Sequence, residues 1–136
     1  MLKELQRIVL EVSSLATLAD ALSRAAVLVK DLFHVDAVSI FLLDTKKTDY
    51  VLVAESGLRE EWLGVKRYKL GKGLVGYIAQ REVPVNLEQA GDHEFFQPLA
   101  KEAAYHFDSF LGVPIYDHGV LLGIFAVESK KPGGFS

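Results

Sequence analysis

The sequence predicts an α+β domain, an antiparallel sheet of about six strands with helices packed against it. Three observations carry that prediction. Apolar residues recur at helical spacing through the first quarter of the chain. The segments that follow alternate with the period of a strand and are joined by short polar turns. Those turns make hairpins, not the long crossovers a parallel sheet requires.

The helical start carries Leu2, Leu5, Ile8, Val9, Val12 and Leu15 on one face, with Lys3, Glu4, Arg7 and Glu11 on the other. Ser13-Ser14 is expected to break or bend it. Thr17-Leu18-Ala19-Asp20 has the form of a capping box, which would open a second helix ending near Phe33. Leu18, Leu22, Ala25, Ala26, Val29 and Leu32 form its apolar face.

Ala37, Ser39, Phe41 and Leu43 alternate with Val38, Ile40 and Leu42, a strand with one partly polar face. Tyr50–Ser56 returns beside it after a polar turn. Gly57–Lys69 is charged and irregular around Trp62, with a short strand near Tyr68–Leu70. Gly71-Lys72-Gly73 breaks the chain before a short helix over Leu74–Gln80. Pro84–Leu87 is a short strand, and Glu88–Ala104 is a loop with a helical piece at Pro98–Ala104.

Phe107–Tyr116 and Val120–Ser129 close the sheet. They flank a tight turn at His118-Gly119, where positive φ suits glycine and is tolerated by histidine. Both strands are apolar at nearly every position, so this hairpin is expected centrally, with both faces covered. Pro114 removes a donor and needs a bulge or an unpaired slot.

At 136 residues, half of them hydrophobic and a quarter charged, the chain is one domain of globular composition. A net charge of -3 argues against a nucleic-acid partner. The longest apolar run, Val120–Val127, is too short to span a bilayer, so no membrane partner is expected. The start has no secretory pattern, and a cytoplasmic protein is expected. With no cysteine there are no disulfides, thiolate metal sites or cysteine nucleophiles.

Gly71-Lys72-Gly73-Leu74-Val75-Gly76 matches the dinucleotide-binding glycine pattern, but its hairpin surroundings favour a turn and helix start, with Gly76 permitting close packing. His34, His93, His106 and His118 show no metal-ligand spacing. No catalytic residues, metal site or cofactor are indicated. Phe95, Phe96, Tyr105, Phe107 and Phe110 crowd one region, with Asn86, Asp92 and His93 upstream. Aromatics with a few polar groups suit a small-molecule pocket, and equally a small core.

Taken in order, several segments resemble a GAF domain. They are Leu18–Leu22, Val38–Asp44, Ala54–Leu58, Gly73–Ala79, Pro84–Leu87, Gly112–Ile115 and Leu122–Ile124. The resemblance covers essentially residues 1–136. It extends, through Leu5–Val9 and Asp92–Ile115, to the amino-terminal domains of nitrogen-related phosphoenolpyruvate-dependent phosphotransferases. It implies a fold of the PAS and profilin kind, with helices on both faces of the sheet. One face would cover a ligand cavity closed by residues 57–104, and helices on the other would mediate a homodimer.

By the same resemblance the chain is the N-terminal piece of a longer protein, stopping where a final helix would begin. It is then no enzyme itself. It would be a sensory domain that binds a small polar metabolite, with glutamine as the nitrogen signal, and controls a phosphotransferase in the domains that follow. A dimerisation or docking module without a small ligand is the alternative. The expected ligand contacts are Ser39, Phe41, Tyr77, Asn86, Asp92, Phe95, Phe96, Tyr105 and Phe107. Among them Asp92 would hold an ammonium and Asn86 an amide or carboxylate. Lacking cysteine, the chain cannot be a bilin-attaching or methionine-sulfoxide-reducing member of the family.

Overall fold

A computed structural model describes residues 1–135, with side chains for all of them except residues 9–16. Its first element is one helix, not two. Helix α1 (Leu2–Phe33) continues through Ser13, Ser14 and Thr17 for 32 residues, about 48 Å. Serine costs a helix only a few tenths of a kcal/mol relative to most residues, so a pair does not stop a run rich in Leu, Val and Ala. The expected capping box is therefore interior helix, and Asp20 pairs with Arg24 one turn on, at 2.7 Å. The helix ends at His34, in the left-handed conformation (φ 54°). Val9, Val12 and Leu15 fall outside the residues with described side chains. Leu2, Leu5, Ile8 and Leu18 are exposed, and α1 reaches the core through Leu22, Ala26 and Val29.

The remaining elements are β1 (Ala37–Leu43), β2 (Asp49–Ser56), β3 (Arg67–Lys69), α2 (Gly73–Arg81), β4 (Val85–Leu87), β5 (Ser109–Asp117) and β6 (Val120–Ser129). They form one six-stranded sheet in the order β3-β2-β1-β6-β5-β4, every neighbouring pair antiparallel. The fold is the α+β class the sequence predicts.

Alternation along the strands sorts two cores. On one face Val38, Ile40 and Ala54 pack with Ala26 and Val35 beneath α1. On the other, Phe41, Leu52, Phe110, Ile124 and Ala126 pack beneath α2 and the segment around Trp62. A bulge at Ile40/Phe41 keeps both faces in phase between β1 and β2. The close approach expected at Gly76 is present, since a side chain there would strike the Lys69 carbonyl of β3.

The terminal hairpin departs in part from its expected place. β6 is central, but β5 is covered by β4 only over Phe110–Gly112. Beyond Gly112 its edge is open, and Val113, Tyr116, Val120 and Leu122 are exposed. The root of the hairpin is core, whereas its tip projects from the sheet. Pro114 falls on the stretch that β4 does not cover, where the strand is an edge and proline is tolerated. The turn has His118 at φ 50° and Gly119 at φ 79°, both positive as the sequence requires.

Residues 88–108 cross the face opposite α1. They contain single turns of 3-10 helix at Ala90–Asp92 and Ala103–Tyr105. The helical piece expected over Pro98–Ala104 is thus confined to its last residues, as proline at 98 and the polar Lys101-Glu102 pair give no apolar stripe to hold a longer one.

Candidate ligand cavity

A small cavity lies between the sheet and the segment covering it. Ser39 and Phe41 of β1, Phe110 of β5 and Glu128 of β6 form the floor. Leu74 and Val75 of α2, Tyr68 of β3, and Phe96–Leu99, Tyr105 and Phe107 of the 88–108 segment form the walls and lid. Period-two alternation brings the floor together. Ser39 pairs with Ala126, Phe41 with Ile124 and Ala37 with Glu128, so these side chains share one face. The void measures about 30 Å³, room for a water or two. Small-molecule sites are roughly tenfold larger or more. The lid is therefore closed, and an organic ligand enters only if it moves.

Five of the nine expected contacts converge here: Ser39, Phe41, Phe96, Tyr105 and Phe107. The other four do not line the void. Tyr77 stacks outside it with His93 and Phe95, ring centroids 4.9 Å away in each case, and Arg81 lies over its ring at 5.1 Å. Asp92 is exposed at the end of a 3-10 turn. Asn86 is turned to the chain after β6, accepting from the Phe135 N–H at 3.1 Å and donating to the Phe135 carbonyl. Nearness in sequence to the aromatic cluster does not determine the side of a strand or loop, and these four fall on the other side.

The cavity's most distinctive group is one the expectation omitted. Among the described residues the Glu128 carboxyl has no hydrogen bond and no ion pair. Its residue is half-buried, and desolvation pushes the carboxyl up to about 8 from its ordinary 4.5. Tyr68, half-buried, is pushed up to about 12 by desolvation and then by the neighbouring Glu128. Its hydroxyl lies 3.5 Å from the Gln97 carbonyl of the lid. The signal for Glu128 was available: it is in phase with Ile124 and Ala126, the inward residues of an apolar strand.

The cavity wall extends outward through Tyr105, whose ring meets the edge of Trp62 at 4.7 Å. Lys66 lies over the indole at 5.0 Å. Among the described residues no group of three or more His, Asp or Glu stands close enough to hold a metal ion.

The sequence profile of the GAF domain family matches residues 17–136. The chain belongs to the GAF family. Its fold is similar to that of the GAF domain of an Acinetobacter phosphoenolpyruvate-protein phosphotransferase (40% identity, TM-score 0.77, covering 99% of this chain and 80% of that one). It is equally similar to the corresponding GAF domain from Coxiella burnetii (34% identity, TM-score 0.80, covering 100% and 81%). In sequence it is 31% identical over 118 residues to the Escherichia coli (strain K12) protein described as phosphoenolpyruvate-dependent phosphotransferase system, covering 85% of this chain. The chain spans only 15% of that relative's length. No helix among the described residues is long and apolar enough to cross a membrane.

Proposed function

We propose that this GAF domain senses a small polar metabolite carrying a cationic nitrogen, held in the cavity over β1 and β6. In a longer protein similar to the phosphotransferases above, occupancy would control phosphoenolpyruvate-dependent phosphoryl transfer by other domains. The observation that carries this reading is the unpartnered Glu128 carboxyl. A carboxyl set among aromatic rings with no donor beside it is destabilising, and a pure packing role would be filled better by an apolar side chain. An ammonium group entering beside it would restore the missing partner, with Phe41, Tyr68, Phe96, Tyr105 and Phe107 supplying aromatic faces for a cation. Glu128 thus takes the role expected of Asp92.

Glutamine fits this chemistry, and 2-oxoglutarate, which has no cationic nitrogen, does not. Titration calorimetry is expected to give heat with glutamine, none with 2-oxoglutarate, and at least about tenfold weaker glutamine binding in Glu128→Gln. Absence of both heat and thermal shift at millimolar glutamine would remove it as the signal.

A second reading rests on α1. Leu2, Leu5, Ile8 and Leu18 are exposed, and among the described residues α1 reaches the core from Leu22 onward. An unpartnered apolar stripe of this kind suits pairing with a second copy. Sedimentation of the chain tests it: a monomer across the accessible concentration range excludes α1-mediated dimerisation.

A further inference from the structure

The chain after β6 does not simply leave the domain. Six hydrogen bonds involving side chains tie residues 129–135 across it. The Asp36 carboxylate (Oδ2) accepts from the Lys130 N–H at 2.6 Å and from the Ser129 hydroxyl at 3.2 Å. The Ser109 hydroxyl, almost fully buried, donates to the Lys131 carbonyl at 2.6 Å and accepts from the Gly134 N–H at 3.0 Å. The Asn86 amide clamps both main-chain groups of Phe135. Gly133 and Gly134 hold positive φ, 115° and 72°, which bends this stretch back onto β4.

These anchors coincide with the roots of the cavity lid. Asn86 lies two residues before the lid begins, and Ser109 immediately follows its end, between the wall residues Phe107 and Phe110. The two roots are joined to each other by the Ala90 N–H donating to the Asp108 carbonyl at 2.7 Å. The stretch itself begins directly after Glu128, at the cavity floor. A void of about 30 Å³ admits no metabolite unless the lid moves, and the first residue of the lid is itself tied to the stretch, the Gly133 N–H donating to the Glu88 carbonyl at 3.5 Å.

We propose that Lys130–Phe135 is a strap that latches the lid: fastened, it holds the cavity closed, and lid opening on ligand entry releases it. The coupling is reciprocal, since two elements that share a closed state stabilise each other equally. The strap's biological meaning rests on the reading of the cavity as a ligand site. Its test uses no ligand, so the strap and the glutamine reading fail by separate results.

Amide hydrogen exchange on the full chain provides that test, in Asn86→Ala and in Asn86→Ala combined with Ser109→Ala. Each lost bond should speed exchange about fivefold at the amides it supports. The strap predicts that acceleration spreads to the lid amides of Ala90, Phe96, Tyr105 and His106, while Ile40 and Leu52 in the sheet keep their wild-type rates. Acceleration confined to residues 130–135, with the lid unchanged, overturns it. Asn86 is exposed, so Asn86→Ala alone decides the matter if the double variant unfolds. In the reverse direction, Tyr105→Ala should loosen the lid and speed exchange at Lys130, Gly134 and Phe135. Unchanged rates there also overturn the strap.

Discussion

The two faces of the sheet are built to different specifications. Under α1, Val38, Ile40 and Ala54 meet Ala26 and Val35, all aliphatic, with Val38, Ile40, Ala54 and Ala26 fully buried. Under the lid the same strands present Ser39 and Glu128 among aromatic rings, around a void. One face has an aliphatic centre, with a wider apolar groove at its margin lined by Val29, Phe33, Val35, Phe125 and Val127. The other admits a hydroxyl and an unpartnered carboxyl among its aromatic rings, polar groups that lower stability when they are removed from water. Aliphatic packing and polar groups are thus segregated by strand parity, residue against neighbouring residue.

The largest expected effect breaks the comparison on its rigid side. Ile40→Ala should cost about 2–5 kcal/mol in urea unfolding, whereas Phe96→Ala, half-buried in the lid, should cost less than about 1.5 kcal/mol. Equal losses would mean that the lid is core.

Next comes the pH dependence of Glu128. Its folded value of about 8 stands above its ordinary 4.5, so the folded state holds a proton that the unfolded state releases. Stability from this group is full below about pH 4.5 and is lost as pH rises through 8. Wild-type melting temperature should therefore decline across that window, and Glu128→Gln should flatten the decline and melt a few °C higher at pH 9. A wild-type profile already flat there would mean that Glu128 is solvated.

The same proton affects binding. An ammonium ligand pairs with the carboxylate form, so glutamine affinity should weaken as pH falls below 8, by up to about tenfold per unit. Calorimetry in buffers of different ionisation enthalpy would read the proton released. The smallest effect tests a charge cluster remote from both faces' centres. Asp49 is paired with Arg67 at 3.3 Å and Lys69 at 3.5 Å. Because Lys69 remains, Arg67→Ala should lower stability by only about 0.5–1 kcal/mol.

Much of the fold was legible in the sequence because its signals are local. Alternation from Ala37 to Leu43 and the His118-Gly119 turn each follow from backbone geometry within a few residues. Ser13-Ser14 misled because a weak local preference yields to the helix on either side. The hairpin's exposed tip was hidden because coverage depends on the length of β4, set elsewhere in the chain. In the site, residues on strands or in the aromatic lid could be anticipated. Asn86 and Asp92 could not, since the direction of a side chain in a short edge strand or loop is fixed by tertiary contacts. Glu128 was readable by phase alone, but it sits at the end of an apolar strand, where a charged residue is ordinarily the first of a turn.

The edge strands, each three residues long, have a consequence for behaviour at high concentration. An exposed sheet edge invites another molecule to add a strand. Here one edge offers only Arg67–Lys69, ringed by charge, and the other only Val85–Leu87, with Asn86 already engaged. The open run of β5 beside it is interrupted by Pro114. A chain that is half hydrophobic is thereby denied a template for growing its sheet from one molecule into the next.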